Sequence, residues 1–263
     1  MPHEAGVGPN EAGVGPSYLS PTRPRLFAHR GLAIEAPENT LLAFARAVGL
    51  GVEYLETDVH ASSDGVAMIS HDPDLTRLTG REVRIDQLTA SELQEIDLGE
   101  GQTFTTLAAA LDAFPDARFN IDIKAMAAAS PTVEVIRRAR AENRVMVGSF
   151  SDARRRAVVR ELPTVATSVS SRNAVIAAWS AAVGLRSVTR RALRGAQAMQ
   201  IPEKILGAST TTPRALAAFH SAGVEVHVWT INDAATMNRL LDAGVDGIMT
   251  DRADIGVEVF ARR

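Results

Sequence analysis

The chain's 263 residues, 46% hydrophobic and 22% charged, exclude a disordered or fibrous polypeptide, and they are enough for one large core without disulfide or metal staples. A net charge of -3 offers no global attraction to nucleic acid or an anionic membrane, so phosphate binding would need a local group of cations. The absence of cysteine removes disulfides, thiolate metal sites and a cysteine nucleophile.

Residues Glu4 to Pro9 (EAGVGP) are repeated at Glu11 to Pro16. Rich in Gly and Pro and without hydrophobic periodicity, this region reads as a flexible tail over residues 1–23 ahead of one folded domain, 24–263. The start lacks the basic and apolar segments of a secretory signal, and no window reaches the roughly 18 apolar residues of a membrane span. A cytoplasmic protein without stable membrane insertion is therefore expected.

From Arg25 onward, apolar runs alternate with helical patterns. Strands are predicted at 25–29, 54–59, 66–70, 118–123, 145–148, 164–168, 196–201, 224–230 and 247–250. Helices are predicted at 40–49, 90–96, 131–141, 152–161, 213–222 and 234–243, with one long helix at 172–193. Gly223 and Gly244 follow two of these helices at the position where a left-handed residue ends a helix. Eight strand-helix units in roughly 240 residues argue for an α/β fold with parallel strands. No Gly-rich phosphate fingerprint follows the first strand, so a single-domain TIM (β/α)8 barrel is expected over an open doubly wound sheet.

Polar residues gather where the strands end, and in a barrel those C-terminal ends share one rim, where barrel enzymes keep their sites. Glu56 and Asp58 are two apart on a strand and point to one face; Asp122 and Lys124 repeat the spacing. Three such carboxylates make a hard oxygen site suited to Mg2+ or Ca2+. His29 and His71 follow different strands, and an imidazole is suited to serve as a general base or a general acid. Arg30 and Lys124 are the local cations, suited to a phosphate and to neutralising crowded acids. Trp229 reads as a wall of the site, and His3, His60, His220 and His227 read as structural, with a pocket-lining role left open for His227. Val175, Ile176, Trp179 and Val183 could meet an acyl chain, but their spacing reads as a helical face packed on the barrel; Arg186, Arg190, Arg191 and Arg194 could touch lipid headgroups, but on a net acidic chain they read as a solvated helical face.

The segments His29-Arg30-Gly31, Pro37-Glu38-Asn39-Thr40, Glu56-Thr57-Asp58, Asp64-Gly65 and His71-Asp72 with Leu75, Thr76 and Arg77 resemble the glycerophosphodiester phosphodiesterase family in the same order. So do Asn120 to Lys124, Val228 to Asn232 and Gly244 to Asp251, which extends the resemblance over residues 25–255. It implies a TIM-barrel hydrolase that cleaves small-molecule glycerophosphodiesters to glycerol 3-phosphate and an alcohol, in lipid or glycerol metabolism. Glu56, Asp58 and Asp122 would hold one divalent cation, Mg2+ or Ca2+, or Mn2+. His29 and His71 would be the catalytic acid-base pair, and Arg30, Glu38, Lys124 and Trp229 would surround the substrate. The family usually has Glu where this chain has Asp122, and the stretch between His71 and Lys124 implies a modest cap. The alternatives are a phospholipase D-like lyase giving a cyclic phosphate, and a barrel that binds a phosphorylated ligand without turnover.

Overall fold

The computed structural model describes residues 17–20, 23–205 and 207–263; most of the expected tail lies outside these. Eight parallel strands carry the fold: β1 (Arg25–Ala28), β2 (Tyr54–Ala61), β3 (Arg118–Ile123), β4 (Val145–Gly148), β5 (Ala166–Thr167), β6 (Ala198–Pro202), β7 (Glu225–Trp229) and β8 (Gly247–Thr250). β1 to β5 and β6 to β8 are each paired in parallel in sequence order, and β8 with β1. The β5–β6 seam is held by a parallel bridge between Ser168 and Ala198 and by Gln197 N donating to Thr167 O at 2.9 Å. The sheet thus closes into the expected barrel.

Side chains alternate across the barrel wall, as the two-residue strand period requires. Outward residues such as Leu55, Phe119, Ile121 and Val147 pack beneath helices through Phe44, Leu107, Val133 and Ile136. On the opposite side Met199, Val226, Val228 and Ile248 meet Leu216, Phe219, Met237 and Leu240. The interior is filled by Phe27, Tyr54, Met146, Ala166, Ala198 and Met249, so the barrel is a packed core with its open space at the mouth. Helices begin at side-chain caps: Thr40, Thr106, Ser151, Thr212 and Asp233 each accept from a backbone N–H three residues on, satisfying donors the helix leaves open.

Four expectations are corrected. The strand expected at 66–70 is not a barrel stave: Ala67–Ile69 pairs antiparallel with the end of β2 and opens a small lobe with its own core of Met68, Leu75, Ile85, Leu93 and Phe104. The long helix expected at 172–193 is two, Ser171–Ala182 and Arg186–Leu193, broken where Gly184 takes φ +81°. Val175, Ile176, Trp179 and Val183 do not pack on the barrel; all are exposed, because the face turned inward is built from Ala174, Ala177, Ser180 and Ala181. Finally, residues 17–20 precede the expected domain start, yet Tyr18 is buried against Tyr54 and Phe27 beneath the barrel.

That lower end is also where Arg25 is buried. Its guanidinium donates to Glu225 Oε2 and Oε1 at 2.8 and 2.9 Å, to Tyr54 Oη at 2.6 Å and to Leu19 O at 2.7 Å. Burial would raise the Glu225 carboxyl, but these bonds and one with His227 hold it down at about 2. His227 lies in this interior network, 3.1 Å from Glu225 Oε2, and not at the mouth.

Candidate active site

The mouth holds a cavity of about 220 Å³ lined by His29, Arg30, Glu56, Asp58, His71, Asp122, Lys124 and Trp229. This is below the roughly 300–1,000 Å³ of drug-sized ligand sites and suits a small molecule. Eight of the nine residues singled out from the sequence meet there. Glu38 stands behind them: Arg30 Nη1 donates to its Oε1 at 3.0 Å, and Arg77 donates to Oε1 and Oε2 at 2.6 and 3.0 Å. With both oxygens taken by guanidinium groups, Glu38 braces Arg30 instead of lining the pocket.

His29 follows β1, and its Nδ1 donates to Asp251 Oδ1 at 2.6 Å, while Nε2 lies 3.8 Å from Glu56 Oε2. Asn232 donates to the other Asp251 oxygen at 2.8 Å, and Asp251 N donates to Asn232 Oδ1 at 2.9 Å. Burial alone would lower the His29 imidazolium, but Glu56 and Asp251 raise it above its ordinary value. His71, carried on the small lobe, repeats the pattern: its Nδ1 donates to Asp72 Oδ1 at 2.7 Å, and Arg77 holds the other Asp72 oxygen. Each ring therefore presents Nε2 as its free proton-transfer position, because a carboxylate can only accept at Nδ1.

Arg30 and Gly31 turn the chain at the end of β1 with φ +56° and +82°. Gly31 is needed there, since a Cβ would meet the Ala43 backbone at 2.7 Å. The turn places the Arg30 guanidinium 3.3 Å from Asp58 Oδ2 and aims Arg30 N at Glu56 Oε2, 3.1 Å away. Asp58 also accepts from Asn39 Nδ2 at 3.1 Å.

Asp58 and Asp122 face each other in register on β2 and β3, and Lys124 Nζ bridges them at 2.8 Å to each. Burial would raise Asp58, but Lys124 and then Arg30 hold it below its ordinary range. Glu56 goes the other way: burial, then the charges of Asp58 and Asp122, push it up to about 8. Among the described residues no three acid or imidazole groups converge as a ready ligand set, since Lys124 stands between two of the acids. The donor chemistry still fits a hard divalent cation. Asp122 Oδ1 is buried without a hydrogen-bond partner, and Glu56 is crowded by like charge that a cation would relieve.

Sequence reasoning gave Asp251, Asn232, Asp72 and Arg77 no roles in the site. Asp251 and Asn232 lie in matched segments and Asp72 follows His71 directly, but the pairings of Asp251 with His29 and of Arg77 with Glu38 join residues far apart in the chain. Gly148, Ser168 and Gln200, which complete the far wall of the cavity, carry no motif at all.

Fold and site together define a barrel enzyme with two carboxylate-tethered histidines and a cation-compensated acid cluster at one mouth. Residues 29–255 match the glycerophosphoryl diester phosphodiesterase family, and the chain belongs to that family. A Mycobacterium tuberculosis relative, "Probable glycerophosphodiester phosphodiesterase 2", is 43% identical over 239 residues, covering 90% of each chain. The solved glycerophosphodiester phosphodiesterase of Thermotoga maritima is 27% identical with a TM-score of 0.71, over 89% of this chain and 97% of that one. An Oleispira antarctica phosphodiesterase solved with its product sn-glycerol-3-phosphate shares the fold, with a TM-score of 0.75 at 24% identity over 92% and 98%. The chain is thus a phosphoric diester hydrolase of the glycerophosphodiester class.

Proposed function

We propose that this enzyme hydrolyses glycerophosphodiesters to glycerol 3-phosphate and an alcohol, with His29 and His71 as its acid-base pair. The observation that carries the reading is the matched tethering of the two imidazoles, His29 by Asp251 at 2.6 Å and His71 by Asp72 at 2.7 Å, on one cavity. One ring takes the proton of the attacking water, or of a substrate hydroxyl, and the other delivers a proton to the departing alkoxide; on the hydroxyl route a cyclic phosphate forms first and water opens it in a second step, so either route consumes one water overall. A carboxylate behind each ring fixes its tautomer and steadies the imidazolium.

Glu56, Asp58 and Asp122 would hold one divalent cation, Mg2+, Ca2+ or Mn2+, whose chemistry there is to neutralise charge on the phosphoryl oxygens. Arg30 and Lys124 add fixed positive charge beside it, and Glu38 and Arg77 hold Arg30 in place. Trp229, with Phe150 against it at a ring-centroid distance of 6.1 Å, forms the apolar wall for the alcohol side of the substrate. The fully buried acids on β2 and the narrow cavity favour a small deacylated substrate. Incubation with glycerophosphocholine and related diesters, with each cation and with chelator, followed by phosphorus NMR, tests the reading. Glycerol 3-phosphate that needs a cation is the expected product. An accumulating cyclic phosphate, or no turnover across the panel, would overturn it.

A further inference from the structure

The helix Ser171–Ala182 is built inside out. It buries Ala174, Ala177, Ser180 and Ala181 and turns Val175, Ile176 and Trp179 to solvent, with Trp179 73% exposed. Val183, Leu185 and Val188 continue the exposed apolar surface across the Gly184 turn, and the two helices are joined by a 2.8 Å hydrogen bond between Ser180 and Thr189. Single exposed apolar residues are ordinary, but six within one helical hairpin form a patch of the kind that marks an interaction site.

The charge around the patch is equally uneven. No Asp or Glu occurs between Glu161 and Glu203, although the whole chain is net acidic at -3. Within that stretch Arg172, Arg186, Arg190, Arg191 and Arg194 are all exposed. None of the five is in an ion pair with a described residue. Arg186 and Arg190 are four apart and share one side of their helix, and Arg194 follows at its C-cap. A tryptophan among aliphatic residues, beside unpaired arginines, has the composition of a surface that meets anionic lipid headgroups. A second copy of this chain fits less well, because a two-fold contact would set the arginine clusters near one another.

The patch is also continuous with the active-site rim. Ser171 N donates to Phe150 O at 3.2 Å, both residues line the cavity, and Phe150 is 57% exposed. We propose that the hairpin of Ser171–Ala182 and Arg186–Leu193 docks this protein on an anionic lipid bilayer. Trp179 and its aliphatic neighbours sit at headgroup depth, the arginines meet lipid phosphates, and the Phe150 edge of the cavity lies beside the bilayer.

Sedimentation of the full chain with phosphatidylcholine vesicles, with and without phosphatidylglycerol, tests this apart from catalysis. The protein should pellet only with the anionic vesicles and be released by salt. The surface variants Trp179→Ala and Arg186→Glu/Arg190→Glu/Arg194→Glu should lose that binding, each reversed arginine weakening it by roughly fivefold or more. Both variants should keep the melting temperature and the turnover of a water-soluble phosphodiester, since these residues lie outside the cavity. Absent binding of the wild type to anionic vesicles, or undiminished binding of both variants, would overturn the proposal. So would a dimer in analytical ultracentrifugation that Trp179→Ala dissolves, which would assign the patch to a second copy.

Discussion

His29 at the end of the first barrel strand donates its Nδ1 hydrogen to Asp251 at the end of the last, 2.6 Å across the seam where β8 meets β1. Closing the barrel thus builds one tethered histidine of the active site. Asp251→Asn keeps the shape but removes the charge that favours the imidazolium and its tautomer. The variant should lose roughly 100-fold in kcat. Its His29-dependent limb of the pH–rate profile should move to lower pH, because Asp251 is one of the groups holding the imidazolium above its ordinary value. An unchanged profile in steady-state assays would speak against this role.

Gly31 supports the same corner. Alanine there would need a left-handed φ of +82° and would press on the Ala43 backbone at 2.7 Å, at a cost of about 1–3 kcal/mol. Gly31→Ala should therefore lower the denaturant midpoint and, by displacing Arg30, raise KM more than it lowers stability alone would predict.

Below the site, the Arg25–Glu225 pair sets the acid limit of the fold. The Glu225 carboxyl is held at about 2 against an ordinary 4.5. Its stabilising effect is therefore complete above about pH 4.5 and is lost as pH falls toward 2. Thermal melts of Glu225→Gln should show a lower Tm at neutral pH, where Arg25 loses its carboxylate partner. The gap from wild type should narrow only below pH 4.5.

Divalent cation should stabilise the folded chain, because it would offset the burial and the like charge of Asp58 and Asp122 that together push Glu56 up to about 8. In differential scanning fluorimetry, Mg2+, Ca2+ or Mn2+ should raise Tm over the chelated protein, and Glu56→Gln or Asp122→Asn should shrink the shift. An equal rise in wild type and variants would mean that the cation binds elsewhere.

Much of this was legible in the sequence because the barrel converts strand ends into a rim: His29, Glu56, Asp58, Asp122, Lys124 and Trp229 all stand on or just after barrel strands, and His71 follows the short strand that pairs with the end of β2. Glu38 was misplaced because a motif locates a residue on a loop but not which guanidinium groups will claim it. The helix Leu107–Ala113 was missed although Thr106 caps it, since its alanine-rich stretch shows little periodic contrast. Trp179 was expected inside because spacing identifies an apolar face without saying which way it turns. Here the small residues of the same helix allow the closer approach to the barrel, and they took the inner side.

The central claim rests on two imidazoles moving protons, and the kcat of His71→Ala on glycerophosphocholine under saturating cation tests it most directly. His71 is carried on a lobe with its own core and is partly exposed, so the variant should melt like the wild type. Its turnover should fall by roughly 100- to 10,000-fold. Near-normal turnover in a folded His71→Ala protein would contradict the account.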